Sequence, residues 1–153
     1  MNHVKKICIG CDHAAVDLKD KLVVFLKNKA IQIDDLGTDN PDISVNYPDF
    51  GIRVSKSVAK KEYDCGILIC GTGLGMSMVA NRFSGIRAAL CNDIFSAKMC
   101  RQHNNANILV MGGRIIGDVL AKEIVQTFLE TAFDGGRHAE RLKLFDQLGE
   151  TTK

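Results

Sequence analysis

A chain of 153 residues that is 46% hydrophobic and 25% charged, with only two prolines, can bury one core unaided and is neither disordered nor fibrous. Its 20 basic and 18 acidic residues are interspersed and leave a net charge of +2, which excludes a polybasic nucleic-acid or membrane surface and makes any anion site local. No apolar signal core follows Met1–Lys6, and no apolar run approaches the ~18 residues of a membrane span, so a single cytoplasmic domain over 1–153 is expected.

Short apolar runs then alternate with stretches of helical period. Lys6–Gly10 has strand length, and Ala15, Leu18, Leu22, Phe25 and Leu26 form the apolar stripe of a following helix. Ile31–Leu36 is the second strand. Gly37–Pro48 holds both prolines and several Asp and Asn residues, and is expected to be a mobile surface loop near the site. Val54 and Val58 mark the next helix, and Gly66–Cys70, Ile86–Cys91 and Ile108–Met111 are three further strands. A helix from near Gly117 carries Val119, Leu120, Ile124 and Phe128, Asp134-Gly135-Gly136 interrupts it, and Arg137–Leu148 resumes as a short amphipathic helix. This alternation predicts an α/β fold: a three-layer, doubly wound, Rossmann-like sheet of about five parallel strands, helices on both faces and a C-terminal helical tail.

In such a sheet ligands bind beyond the carboxyl ends of the strands. The residues there are Cys11-Asp12-His13 after strand one, Cys70-Gly71-Thr72-Gly73-Leu74-Gly75 after strand three, Asn92-Asp93 after strand four and Gly112-Gly113-Arg114 after strand five. Three glycines in five residues between strand and helix let the backbone approach a ligand and present several N–H groups to an anion, aided by the helix start near Leu74. A tight turn without a ligand is an equally good reading of those glycines alone. The pattern is neither the dinucleotide fingerprint, because position 76 is Met, nor a phosphate loop, because no Gly-Lys-Ser/Thr occurs.

The six cysteines lie in or beside apolar runs, as reduced thiols do, and at least five read as core residues. Cys70 stands apart because amide donors and a helix start favour a thiolate, which makes it a candidate base or nucleophile. Cys8-Ile-Gly-Cys11 matches a redox spacing, but too little chain precedes it for the β-α unit such domains place ahead of the motif. No second Cys or His pair stands at zinc-ligand spacing. Arg137 and Arg141, four apart, share a helix face and could grip a doubly charged group, although a solvated basic face is the plainer reading. His13 and His103 are the other titratable candidates.

These segments together resemble the ribose-5-phosphate isomerase B family, with its galactose-6-phosphate and allose-6-phosphate isomerases, over nearly the whole chain. The resemblance is carried by Gly-Cys-Asp-His (10–13), Asn-Tyr-Pro (46–48), Cys-Gly-Thr-Gly-Leu-Gly (70–75), Arg-Gln-His-Asn (101–104), Gly-Gly-Arg (112–114) and Gly-Gly-Arg-His (135–138) with Arg141. It implies that Cys70 is the proton-transfer base and His103 the acid/base that opens the sugar ring, with Thr72 beside them in the catalytic set. A sister branch places its base as a Glu just after the glycine turn; Met76 stands there instead, as in the cysteine branch. The amides of Gly71, Gly73, Leu74 and Gly75 would hold the enediolate oxygens, and Asp12 and Asn104 would position hydroxyls. His13, Arg114, Arg137 and Arg141 resemble the phosphate- and substrate-binding set, and Tyr47 joins the substrate residues although loop 37–45 departs from the family pattern. Lys29-Ala30 replaces the usual helix-ending glycine.

The resemblance further implies an aldose-ketose isomerase acting on a small-molecule sugar phosphate, with no metal and no organic cofactor. It implies a homodimer, or a tetramer, with shared active sites, in which tail 134–153 packs on a partner subunit. A six-carbon substrate, and a non-catalytic sugar-phosphate or nucleotide sensor, stay open as alternatives.

Overall fold

The computed structural model describes residues 6–146 and 148. Five strands, β1 (Lys6–Cys11), β2 (Gln32–Asp35), β3 (Cys65–Cys70), β4 (Ala88–Leu90) and β5 (Ile108–Gly112), form one parallel sheet in the order β2-β1-β3-β5-β4. Helices α1 (Val16–Asn28), α2 (Tyr47–Ala59), α3 (Leu74–Ala80), α4 (Ile94–Gln102), α5 (Asp118–Glu130) and α6 (Arg137–Asp146) complete the fold, which is the α/β class expected.

Alternation along each central strand divides the core between two faces, because successive side chains point to opposite sides of a sheet. Ile7, Ile9, Ile67, Ile69, Leu109 and Met111 pack with Leu22 and Leu26 of α1, Ala97 of α4, and Ile124 and Phe128 of α5. Cys8, Leu68, Cys70, Ile108 and Val110 pack instead with Val54 and Val58 of α2 and Met76 and Ala80 of α3. Strands buried on both sides read as continuous apolar runs, which is why they were legible.

The chain therefore leaves β1 toward one face and β3, its neighbour, toward the other. A crevice opens where adjacent connections diverge, and Asp12-His13 and the glycine turn border it. Lys19 on α1 is 1% exposed and is tolerated because its ammonium meets Asp35 Oδ2 at 2.5 Å, at the end of β2.

Four expectations are corrected. Val119 is not on the buried stripe of α5 but 71% exposed; Ala121, Ile124, Val125 and Phe128 make that stripe. Tyr47 and Pro48 belong to α2 rather than to the loop, with Pro48 in the first turn, where its missing N–H leaves no helical bond unmade. The fourth strand shrinks to Ala88–Leu90 and is only half buried, since β4 lies at the sheet edge. The last helix ends at Asp146, short of Leu148.

Candidate active site

The terminal strand residue Cys70 is 6% exposed, and its Sγ accepts a hydrogen bond from the Gly73 N–H at 3.2 Å. The turn closes this tightly because Gly73 is left-handed, at φ 79. A Cβ there would stand 2.4 Å from Leu90 Cδ1 and 3.0 Å from the Met111 carbonyl carbon, so only glycine fits. The hydroxyl of Thr72 accepts the Leu74 N–H at 3.3 Å and opens α3. With only seven residues, α3 adds little dipole, and individual N–H groups dominate the field at the sulfur.

Neighbouring elements complete this rim. Tyr47, at the start of α2, lays its ring over Gly75, where a Cβ would lie 2.5 Å from Cζ and 2.8 Å from Oη. The Arg114 side chain covers Gly71, and the Arg114 N–H donates to the Gly71 carbonyl at 3.0 Å. Buried Asp12 caps the turn after β1, accepting the Ala14 N–H on Oδ1 at 3.0 Å. Among the described residues Oδ2 has no donor and stays available to a ligand hydroxyl. His13 Nδ1 accepts the Val45 N–H at 3.2 Å, which leaves Nε2–H as its donor. Through that bond, and through Cys11 N–H to Gly37 O at 2.8 Å and Thr38 N–H to Cys11 O at 3.0 Å, the loop after β2 is tied to the rim at both ends.

Asn92 was given no role by sequence, yet its Oδ1 accepts the Gly112 N–H at 3.2 Å, fixing the residue paired with Cys70. Its signal was its place directly after an apolar run.

The remaining candidates lie elsewhere. His103 caps the end of α4, which runs back from the carboxyl rim toward the amino ends of the strands. There Ala106 N–H bonds Cys100 O at 3.0 Å and Asn107 N–H bonds Arg87 O at 3.0 Å, just ahead of β5 and β4. Asn104 borders an open groove of about 1050 Å³ beside β4, with Arg87, Cys100, Phe145 and Asp146. The tail joins this end: Asp134 N–H donates to Gln102 O at 3.0 Å, and Arg87 pairs with Asp146 at 3.3 Å.

The His138 ring stacks on His103 at 4.2 Å between centroids and 8° between planes. Burial, then the positive charge of His103, Arg137 and Arg141, holds the His138 imidazole below its usual range. Arg137 and Arg141 flank it on exposed turns of α6. One chain thus gathers Cys70, Thr72, the glycine amides, Asp12, His13, Tyr47 and Arg114 at the carboxyl rim. His103, Asn104, Arg137 and Arg141 sit at the opposite end of the sheet.

Burial pushes the Cys8, Cys11 and Cys65 thiols up to about 12. Cys91 and Cys100 lie 3.8 Å apart, and the shared proton raises Cys91 while lowering Cys100.

The sequence profile of a family described as Ribose/Galactose Isomerase matches residues 7–145. The chain is 44% identical to ribose-5-phosphate isomerase B of Escherichia coli (strain K12), over 92% of this chain and 93% of that protein. The structure of ribose-5-phosphate isomerase B from Clostridium thermocellum superposes with a TM-score of 0.94 at 46% identity, covering 97% of this chain and 99% of the other. That of Thermotoga maritima gives 0.92 at 53% identity, covering 96% and 100%.

Proposed function

The chain belongs to the ribose/galactose isomerase family, and from that premise we propose that it interconverts ribose 5-phosphate and ribulose 5-phosphate through an enediolate in the cytoplasm. The observation that carries this reading is the Gly73 N–H aimed at Cys70 Sγ from a position that admits no side chain.

Moving a carbonyl between adjacent carbons needs a base beside the carbon, donors for the oxygen that gains charge, and an anchor for the phosphate. Cys70 thiolate takes the C2 proton and returns it to C1. The amides of Gly71 to Gly75 receive the developing oxyanion, and removing one such donor costs roughly 10²- to 10³-fold in turnover in other enzymes. Thr72 holds the turn through its bond to Leu74. Asp12, Asn104 and Tyr47 orient hydroxyls, His13, Arg114, Arg137 and Arg141 bind the phosphate end, and His103 opens the ring.

Because His103 and Cys70 lie at opposite ends of one sheet, the working site takes its amino-end residues from a second copy. A homodimer with shared sites, single or doubled into a tetramer, follows from that incompleteness. The α6 segment of the tail and the His103 segment then face the partner's glycine turn; residues 147 and 149–153 of the expected tail 134–153 lie outside the described residues.

A coupled assay with ribose 5-phosphate tests the reading, run in heavy water. Turnover with solvent deuterium in the product is expected. Binding without turnover would refute the catalytic reading, and faster turnover of a six-carbon aldose phosphate would transfer the substrate assignment to the galactose side of the family.

A further inference from the structure

We propose that His103, Asp134 and His138 bind a divalent transition-metal ion such as Zn²⁺, and that the bound metal switches off turnover by occupying His103. The second half rests on the ring-opening role given to His103 above.

Asp134 and His138 are four residues apart but His103 lies on a separate element, the end of α4, so no single motif reveals all three, and the fold brings them together. Each offers one ligand atom, and those atoms all lie within 4.8 Å of one another. The backbone is arranged for this meeting. Asp134 is tied to the end of α4 by its N–H bond to Gln102 O at 3.0 Å. Gly135 and Gly136, at φ 66 and 54, then reverse the chain and deliver His138 onto the His103 ring, 4.2 Å away.

Among the described residues none of the three side chains has a hydrogen-bond partner, so their ligand atoms are uncommitted. Two imidazole nitrogens and one carboxylate oxygen suit Zn²⁺, Co²⁺ or Ni²⁺ and leave a fourth position open. Metal–ligand bonds of about 2.0–2.2 Å place tetrahedral ligand atoms about 3.4 Å apart. The side chains must therefore close by roughly an ångström and the His138 ring must tilt out of its 8° stack on His103 so that the in-plane lone pairs converge, a change of side-chain rotamer for exposed Asp134 and half-buried His138.

A metal needs the neutral form of each imidazole. The charged groups acting on the cluster are Arg137 and Arg141 of α6, which oppose a cation, and Asp134, which favours it. His103 cannot both ligate a metal through the same nitrogen and pass a proton.

The test uses the full-length, tag-free, chelator-treated protein titrated with Co²⁺ and followed by its visible absorption. One Co²⁺ per chain with intense tetrahedral-type bands is expected, weakened at least tenfold in Asp134→Asn and lost in His138→Ala, with circular dichroism confirming that both variants fold. Added Zn²⁺ should inhibit turnover, a chelator should restore it, and Asp134→Asn should keep its metal-free turnover while resisting Zn²⁺. Absent Co²⁺ bands, or unchanged binding in both variants, would overturn the site. Co²⁺ binding as described with turnover indifferent to Zn²⁺ would overturn the inhibitory half and with it the role of His103.

Discussion

Replacing Gly73 by alanine separates backbone strain from loss of the donor to Cys70, because a second glycine serves as its control. Gly73 and Gly85 hold nearly the same left-handed conformation, at φ 79 and 77. An alanine in that region costs about 1–2 kcal/mol in either place. The surroundings differ completely. A Cβ on Gly85 meets nothing within 4 Å, whereas one on Gly73 meets Leu90 Cδ1 at 2.4 Å and the Met111 carbonyl carbon and oxygen at 3.0 and 3.1 Å. Leu90 can rotate away, but the Met111 backbone is locked in the sheet, so the turn itself must move by several tenths of an ångström. That shift lengthens the 3.2 Å bond from Gly73 N–H to Cys70 Sγ and, once the sulfur has taken its proton and released the amide, leaves that N–H misdirected from the oxyanion. Gly73→Ala is expected to lose about 3 kcal/mol, or roughly 6–12 °C in Tm, and about 10²- to 10³-fold in kcat. Gly85→Ala should lose only about 1–2 kcal/mol, roughly 2–8 °C, with kcat unchanged. Thermal melts and initial rates at saturating substrate, well below both melting points, give the comparison. Equal losses of stability with full turnover in both variants would refute the role of the Gly73 amide.

Mixing inactive Cys70→Ala and His103→Ala proteins, after unfolding and refolding together, should recover about a quarter of wild-type activity, since half of the dimers are mixed and each carries one intact shared site. Continued inactivity in a mixture shown to exchange subunits would place both residues in one chain's site. In the native protein at neutral pH, iodoacetamide should leave Cys8, Cys11 and Cys65 unlabelled by peptide mass mapping, because burial holds those thiols protonated up to about 12; labelling should follow unfolding. For Lys19, burial lowers the pKa but the Asp35 hydrogen bond and charge outweigh it, and the net direction is upward. A raised lysine stabilises the fold below its unfolded value and loses that contribution as pH rises through the folded value. Denaturant titrations should therefore show stability falling above the ordinary lysine range, a fall that Lys19→Met removes. At pH 7, Lys19→Met should cost about 1–3 kcal/mol, discounted from a fully buried pair because Asp35 is one third exposed.

The strands were legible because burial on both faces leaves little room for polar residues. Ile67 to Cys70 and Ile108 to Met111 declare themselves as runs, and each lies in the sheet as read. Val119 misled because it is apolar, but it stands five residues before Ile124 and nine before Phe128, offsets that put it on the opposite side of a helix from the buried stripe. Pro48 reads as loop because proline often breaks helices, whereas the first turn of α2 accepts it. The helix α4 went unread because only Ala97 and Cys100 of its nine residues are buried, too few for a stripe.

Of the candidate site, the carboxyl-rim half could be found by position alone, since a doubly wound topology sends the residues after β1, β3, β4 and β5 to one edge. Cys70, the glycine turn, Asp12, His13 and Arg114 follow from local order along the chain. Where α4 ends, and hence that His103 faces away from Cys70 and toward His138 and Asp134, depends on the length and direction of a helix packed across the sheet. Likewise the contact of Tyr47 with Gly75 joins two segments whose nearness no local pattern carries. Residue order sets which groups share a strand end, because a strand or turn spans a few neighbours. Packing sets which groups meet across the molecule, because that distance depends on every element folded between them.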